Sequence, residues 1–419
     1  LVGKAKKRAC PGFGFFSFFV TCLYRTCSAH SFIRPCRSHE GCPNFIMTKI
    51  LTALGLALAS TGLIASSTPV DASADGAAAA AAATKPCLKG PALRHWPSEA
   101  AKALNAMIAA NAHQGRYAAF DMDNTSYQFD LEESLLPYLE NKGVITRDTM
   151  DPSLKLVPFK DTPDHNETLY GYYLRLCEID DAICYPFAAQ IFSDIPLRKL
   201  KVYVDELLAL NDTVHTSYYE GDKLIKVDVN PPKIFRGQVE LYNKLMANGI
   251  EVYVVSAASE ELVRMVASDP KYGYNVKPEN VIGVTTALKN ISSSDLTSAR
   301  KQISDGTYDE QANLDLIMTP FLWTPATWKT GKWAAILSYI DEWKKPILVA
   351  GDTPDSDGPM QFHGVDVRRG GIHLWVNRKD KYQKQIDQMK ADFAAQQEEE
   401  GWPVTADKNW VTVKPSDIL

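Results

Sequence analysis

The 419-residue sequence has no surplus of positive charge: 45 Lys and Arg stand against 50 Asp and Glu, a net charge of −5. With no basic stripe interleaved with aromatics either, nucleic-acid binding is excluded. No apolar run reaches the roughly 20 residues of a membrane span; the stretch Ile50 to Ala65 is shorter and rich in Ala, Gly and Ser. No internal repeat is evident, which excludes a solenoid. Cysteine is scarce past residue 42, where only Cys87, Cys177 and Cys184 remain. The five before it, Cys10, Cys22, Cys27, Cys36 and Cys42, form no CxxC pair and do not read as a zinc module, even with His30 and His39 among them. What is left is a globular composition with length enough for two domains.

Near the amino end, Met47-Thr48-Lys49 precedes the apolar run, and Ala72-Ser73-Ala74 follows it. A basic start, an apolar stretch and a small-x-small site predict a secretory signal peptide over 47–74, cleaved before Asp75, with an uncleaved anchor as the alternative. Residues 1–46 then read as sequence upstream of the true start, and the Ala-rich 75–90 as a linker. Export predicts a periplasmic or secreted protein. An oxidising compartment allows Cys177 and Cys184 to pair; two free buried thiols fit the same spacing.

Past the linker, helical and strand patterns alternate. Leu104, Met107 and Ile108 mark a helix from Ser98 to Gly115, and Tyr117 to Phe120 a short strand. Gln238 to Asn248 reads as a helix before the strand Ile250 to Val255, and Lys332 to Ile340 as a helix before the strand Pro346 to Ala350. This alternation predicts an α/β fold: a doubly wound parallel sheet over 91–129 and 236–395, with ligands beyond the carboxyl ends of its strands. Residues 130–235, too long for a crossover, predict a mainly helical cap domain inserted into that core, with helical runs such as Leu197 to Leu210. The segment 396–419 reads as a C-terminal tail.

Asp121, Ser256 and Asp352 all fall at the predicted ligand edge. Asp121 and Asp123, two residues apart after an apolar strand, point to one side of an extended backbone; a solvated acidic turn is the plainer reading of Asp-Asn-Thr alone. Ser256 can offer its hydroxyl and neighbouring amides to a phosphate oxygen, or simply end a strand. Lys332, with Lys329 as its rival, can neutralise a carboxylate and a phosphate. Gly351-Asp352-Thr353-Pro354-Asp355-Ser356-Asp357 gathers carboxylates suited to a hard cation such as Mg²⁺. Together these four segments describe phosphoryl transfer: a carboxylate nucleophile needs positive charge and donors around the phosphoryl oxygens.

The pattern Asp121-x-Asp123-x-Thr125, with Ser256, Lys332 and the Asp352 turn in order, resembles the phosphatases of the haloacid dehalogenase superfamily. The segments Asp121 to Tyr127, Leu131 to Leu136, Leu174 to Glu178 and Gly351 to Gly358 are further similar to the secreted bacterial phosphorylcholine phosphatases, over nearly all of 90–395. The resemblance implies Asp121 as nucleophile, Asp123 as general acid and base, and Ser256 and Lys332 as phosphate contacts. It implies Asp121, Asp352, Asp357 and the Asp123 carbonyl around Mg²⁺, with Zn²⁺ or Cu²⁺ as alternatives. It points to Glu132, Glu133, Tyr172 and Tyr173 as choline contacts, since a trimethylammonium group is held by aromatic faces and acidic neighbours; tyrosines buried in a cap core are the plainer reading. The expected reaction is hydrolysis of phosphorylcholine to choline and phosphate through an aspartyl-phosphate. The alternatives are a general acid phosphatase acting on phosphoethanolamine or aryl phosphates, and a non-catalytic choline-binding protein.

Overall fold

The computed structural model describes residues 88–419. The upstream segment, the signal peptide, most of the linker, and Cys10 to Cys87 lie outside the described residues.

Six parallel strands form the central sheet, in the order Trp410–Val413, Ile372–Val376, Leu348–Gly351, Arg116–Phe120, Ile250–Ser259, Val281–Val284. Arg116–Phe120 lies between its two neighbours in register, with Phe120 opposite Ala350 on one side and Val254 on the other. Its residues are apolar almost without interruption because both faces are covered. Ala118 and Phe120 join the core under the helices Ser98–Asn111, Arg236–Ala247 and Glu260–Ala267. Tyr117 and Ala119 turn the other way, onto Ala335, Ile336 and Met360 of the helices Thr330–Tyr339 and Pro354–Gly364. The α/β, doubly wound core expected from the alternation is the architecture found.

The insertion after the first strand holds four helices, Leu131–Asn141, Leu169–Ile179, Asp181–Gln190 and Leu197–Leu208. It also holds an antiparallel hairpin, Val214–Glu220 with Lys223–Val229, turned at Gly221 (φ 56°). The first core cluster runs into this cap without a break, through Leu131, Leu135, Leu169 and Leu176.

The structure departs from the sequence reading at three places. Residues 396–419 are not a separate tail: Trp410–Val413 pairs in parallel with Ile372–Val376 and forms the outer strand of the main sheet. The acidic run that obscured this is the exposed end of the helix Asp380–Glu399. The strand Ile372–Val376 went unread because it follows no long helical pattern. A second insertion, the three-stranded antiparallel sheet Thr286–Lys289, Leu296–Thr297 and Ile317–Leu322, follows Val281–Val284. It is tied to the cap by amides of Asp194 and Leu197 donating to the carbonyls of Met318 and Leu316.

Candidate active site

At the end of the first strand, the Asp121 amide donates to Ala350 O (3.0 Å), carrying the sheet ladder one residue further. The chain then folds back on itself. Asn124 takes φ 58°, which a short polar side chain tolerates, and Phe129 takes φ 72°. The two are held by Asn124 N donating to Phe129 O (3.1 Å) and Phe129 N donating to Asn124 Oδ1 (3.2 Å). Ser126 Oγ donates to Asp121 O (2.7 Å) and Gln238 Nε2 to Thr125 O (2.7 Å), so the loop is fastened to the core helix beneath it.

Lys332 enters from the second residue after the start of Thr330–Tyr339. Its Nζ lies 2.6 Å from Asp121 Oδ1 and 2.7 Å from Asp357 Oδ1, with the side chain 1% exposed. Burial works against this ammonium, but the two carboxylates outweigh it and hold its pKa above the ordinary lysine value. Asp121 is pushed up to about 8 by burial and by repulsion from Asp357, with Lys332 pulling the other way. The rival Lys329 is half-exposed and pairs with Asp181 (3.1 Å), away from the aspartates. The glycine between the two lysines is required sterically: a Cβ on Gly331 would stand 1.8 Å from Ala326 O.

Asp357 spends both oxygens inside the protein. Oδ1 accepts from Lys332, and Oδ2 accepts from the amides of Asp352 (2.8 Å) and Thr353 (2.9 Å). Gly351 permits this approach, since a Cβ there would lie 2.6 Å from Asp357 Cβ. Asp352 accepts from Thr125 Oγ1 (3.1 Å) at Oδ1, and from Thr353 Oγ1 (2.9 Å) and Arg378 Nε at Oδ2. Burial raises its pKa and Arg378 opposes that rise. Asp121, Asp352 and Asp357 offer oxygens within 4.8 Å of one another, an all-oxygen donor set that fits a hard divalent cation. Because Asp357 is committed to Lys332 and two amides, the spare capacity lies with Asp121 Oδ2 and Asp352 Oδ1. The Thr125 hydroxyl spans them at 3.4 and 3.1 Å.

Asp123 is placed differently from Asp121. Its Oδ1 accepts from Tyr127 OH (2.7 Å) and Leu131 N (2.8 Å). Burial, and then the charge of Asp130, raise its pKa well above the usual carboxyl range. Two neighbouring aspartates thus sit in different surroundings, one against a buried ammonium and one against a phenol and an amide.

Both face a cavity of about 280 Å³ between the sheet edge and the cap. Asp121, Asp123, Asp130, Glu132, Glu133 and Asp352 line it against Lys332, Arg378 and Lys379, six carboxylates to three cations, with Tyr173, Tyr185 and Tyr382 as aromatic walls. Glu132 and Glu133 stand in the first turn of Leu131–Asn141, capped by Asp130 Oδ1 accepting from Glu133 N (2.9 Å). Burial pushes Glu132 up to about 8, against the Ser259 amide that donates to its Oε1 (2.7 Å). Burial and Asp130 push Glu133 up to about 7, against Arg378 and Lys379.

Three of the sequence-named residues do not line this cavity: Asp357, buried and bonded as described above, Tyr172 and Ser256. Tyr172 is fully buried, its ring packed on Phe159 and Phe187 and its hydroxyl bonded to the Val157 backbone, so it is cap core. A helix sends adjacent residues in different directions, and Tyr173 takes the cavity side. Ser256 is buried too; its Oγ accepts from Ala258 N and its carbonyl from Thr327 Oγ1, while Ala257 and Ala258 form the wall.

Sequence reasoning missed Arg378, Lys379, Tyr185 and Tyr382. Arg378 had a readable signal: it follows the apolar run Ile372–Val376 by two residues, the same edge of the sheet that carries Asp121 and Asp352. Tyr185 had none. It follows Cys184, whose disulfide with Cys177 ties the helix of Tyr173 to the helix of Tyr185.

No protein-family model matches the sequence. The chain is 66% identical over 326 residues, 78% of its own length and 93% of the relative's, to a phosphorylcholine phosphatase of Pseudomonas aeruginosa. Among solved structures, it is similar to a conserved protein of unknown function from Anaerococcus prevotii, at 20% identity and a TM-score of 0.49, covering 77% of this chain and 96% of that one. On the strength of the Pseudomonas relative, the chain belongs to the family of the phosphorylcholine phosphatases.

Proposed function

We propose that this protein is a secreted, metal-dependent phosphomonoesterase that hydrolyses phosphorylcholine to choline and phosphate. The observation that carries the reading is the joining of two chemistries in one cavity. A carboxylate paired with a buried ammonium faces a wall of three tyrosines with two glutamates beside them. The first suits a phosphoryl group, and the second suits a quaternary ammonium that donates no hydrogen bond and is held by π-faces and negative charge. The carboxyl groups of Glu132 and Glu133, raised by burial, regain their charge most readily with such a cation beside them.

In the first step an Asp121 oxygen bonds to phosphorus as the bond from phosphorus to the choline oxygen breaks. Asp123, whose surroundings favour the protonated form, gives its proton to that oxygen. In the second step Asp123 takes a proton from water as the water oxygen bonds to phosphorus and Asp121 is released. Lys332 stays charged throughout and offsets the phosphoryl oxygens, with Asp357 holding it in place. Asp121, Asp352 and the Asp123 carbonyl are the groups that would hold Mg²⁺, Zn²⁺ or Cu²⁺, which when bound supplies further charge against the phosphoryl group. The Cys177–Cys184 disulfide supports export to an oxidising compartment.

The test compares the parent with Asp121→Asn on phosphorylcholine, phosphoethanolamine and p-nitrophenyl phosphate, with and without chelator. Activity on phosphorylcholine, preference over phosphoethanolamine, loss on chelation, and loss in Asp121→Asn are expected. Retained activity in Asp121→Asn overturns the covalent mechanism. Equal efficiency on all three esters would assign a general phosphatase instead.

A further inference from the structure

The opposite end of the sheet carries a second cleft, of about 610 Å³. Because all six strands run parallel, the segments that lead into them collect at one end, away from the catalytic edge. Arg116 opens the central strand. Lys344 and Lys345 precede Leu348–Gly351, Arg368 and Arg369 precede Ile372–Val376, and Trp402 precedes Trp410–Val413. All line this cleft, together with Trp343 and the single carboxylate Asp366.

Charge and polarity are both unusual here. Five cations meet at one place on a chain whose net charge is −5. They remain in excess when the flanking Asp341 and Glu342 are counted. Lys344 reaches Asp341 at 3.8 Å and Arg369 reaches Asp366 at 3.4 Å. Among the described residues, Arg116, Lys345 and Arg368 make no ion pair, and the buried Nε of Arg116 has no hydrogen-bond partner. The same cleft displays two large indoles, Trp343 at 85% and Trp402 at 60% exposure. A soluble anion would account for the cations but would leave both indoles in water.

We infer that this face docks on an anionic, phosphate-bearing lipid surface. Trp343 and Trp402 enter the headgroup layer, where an amphipathic ring is at home, and Arg116, Lys345, Arg368 and Arg369 meet the lipid phosphates. The catalytic cavity, at the other end of the strands, then opens toward solution. Docking of this kind is independent of the substrate reading above, since none of these residues lines the catalytic cavity.

The experiment is co-sedimentation of the full chain with phosphatidylcholine vesicles, with and without phosphatidylglycerol, alongside tryptophan emission. Parent protein should sediment with the anionic vesicles and shift its emission to the blue. It should bind neutral vesicles far more weakly, and it should be released by salt. Arg368→Gln and Arg369→Gln should each weaken binding about fivefold, equivalent to ~1 kcal/mol per cation at a charged membrane surface. Trp343→Ala with Trp402→Ala should abolish the emission shift. All variants share residues 50–65, so differences between them report the cleft alone, and unchanged phosphomonoesterase activity in solution reports the fold. Binding that is equal on neutral and anionic vesicles, or unaffected by the arginine substitutions, overturns the proposal. Displacement by inorganic phosphate with no emission shift also overturns it, in favour of a soluble anion.

Discussion

Replacing Lys332 with Met removes the ammonium that Asp121 and Asp357 share at 2.6 and 2.7 Å. Both carboxylates are almost wholly inaccessible, so nothing from solvent replaces the lost charge. Breaking a buried ion pair by removing one partner costs about 3–5 kcal/mol, because the other charge stays behind unpaired. Against a global stability of about 5–15 kcal/mol the variant still folds, with its urea midpoint visibly lowered. Activity should fall further than stability: losing one preorganised charge at a phosphoryl group lowers kcat about 10²- to 10³-fold. Adding Asp357→Asn to Lys332→Met removes the stranded charge, so it should recover at least ~1 kcal/mol of stability and no activity. Equilibrium urea denaturation and initial rates on phosphorylcholine measure the two effects separately. A Lys332→Met protein with the parent's midpoint would refute the buried network. One with the parent's kcat would refute the role proposed for Lys332, the charge beside the carboxylate proposed as nucleophile.

Tyr172→Ala and Tyr185→Ala should part company. The first, emptying a packed cap site, costs about 3–5 kcal/mol in denaturation with KM for phosphorylcholine little changed. The second should raise KM for phosphorylcholine about tenfold while leaving p-nitrophenyl phosphate unaffected, the scale of one cation–π contact. Glu132 has a folded pKa near 8, above the ordinary 4.5, so the folded state holds a proton that the unfolded state has lost. Its contribution to stability is therefore present below about 4.5 and lost as pH rises toward 8. Glu132→Gln, which keeps an acceptor for the Ser259 amide, should flatten that part of the stability–pH curve, read by denaturation at a series of pH values. Replacing Cys177 and Cys184 by Ser should cost about 2–3 kcal/mol from the reopened short loop and raise KM for phosphorylcholine by loosening Tyr173 against Tyr185. Paired denaturation and kinetics check this.

The sequence by itself determined the parts whose physics is local. An unbroken apolar run before Asp121 reads as a strand covered on both faces. A helix pattern before Ile250 to Val255 and before Pro346 to Ala350 reads as a crossover between parallel strands, and the spacing of Asp121 and Asp123 already places two carboxylates at one strand end. Lys332 and Asp352 were legible for the same reason, since each stands at a boundary that periodicity locates; Ser256 was read at a strand end, but the strand runs on to Ser259 and Ala257 and Ala258 form the wall instead. Only the tertiary structure decided what depends on distant segments meeting. The outer strand Trp410–Val413 is four residues long and reads as a tail until Ile372–Val376 lies beside it. Tyr172 and Tyr173 are equivalent in sequence, and it is the helix's packing on Phe159 and Phe187 that makes one core and the other cavity wall. Arg378 meets Asp352 because neighbouring parallel strands end side by side, and Tyr185 lines the cavity with Tyr173 because their two helices pack together with a disulfide between them. The gathering of six carboxyl groups and three cations around one cavity belongs to no motif, because it exists only where those nine side chains converge.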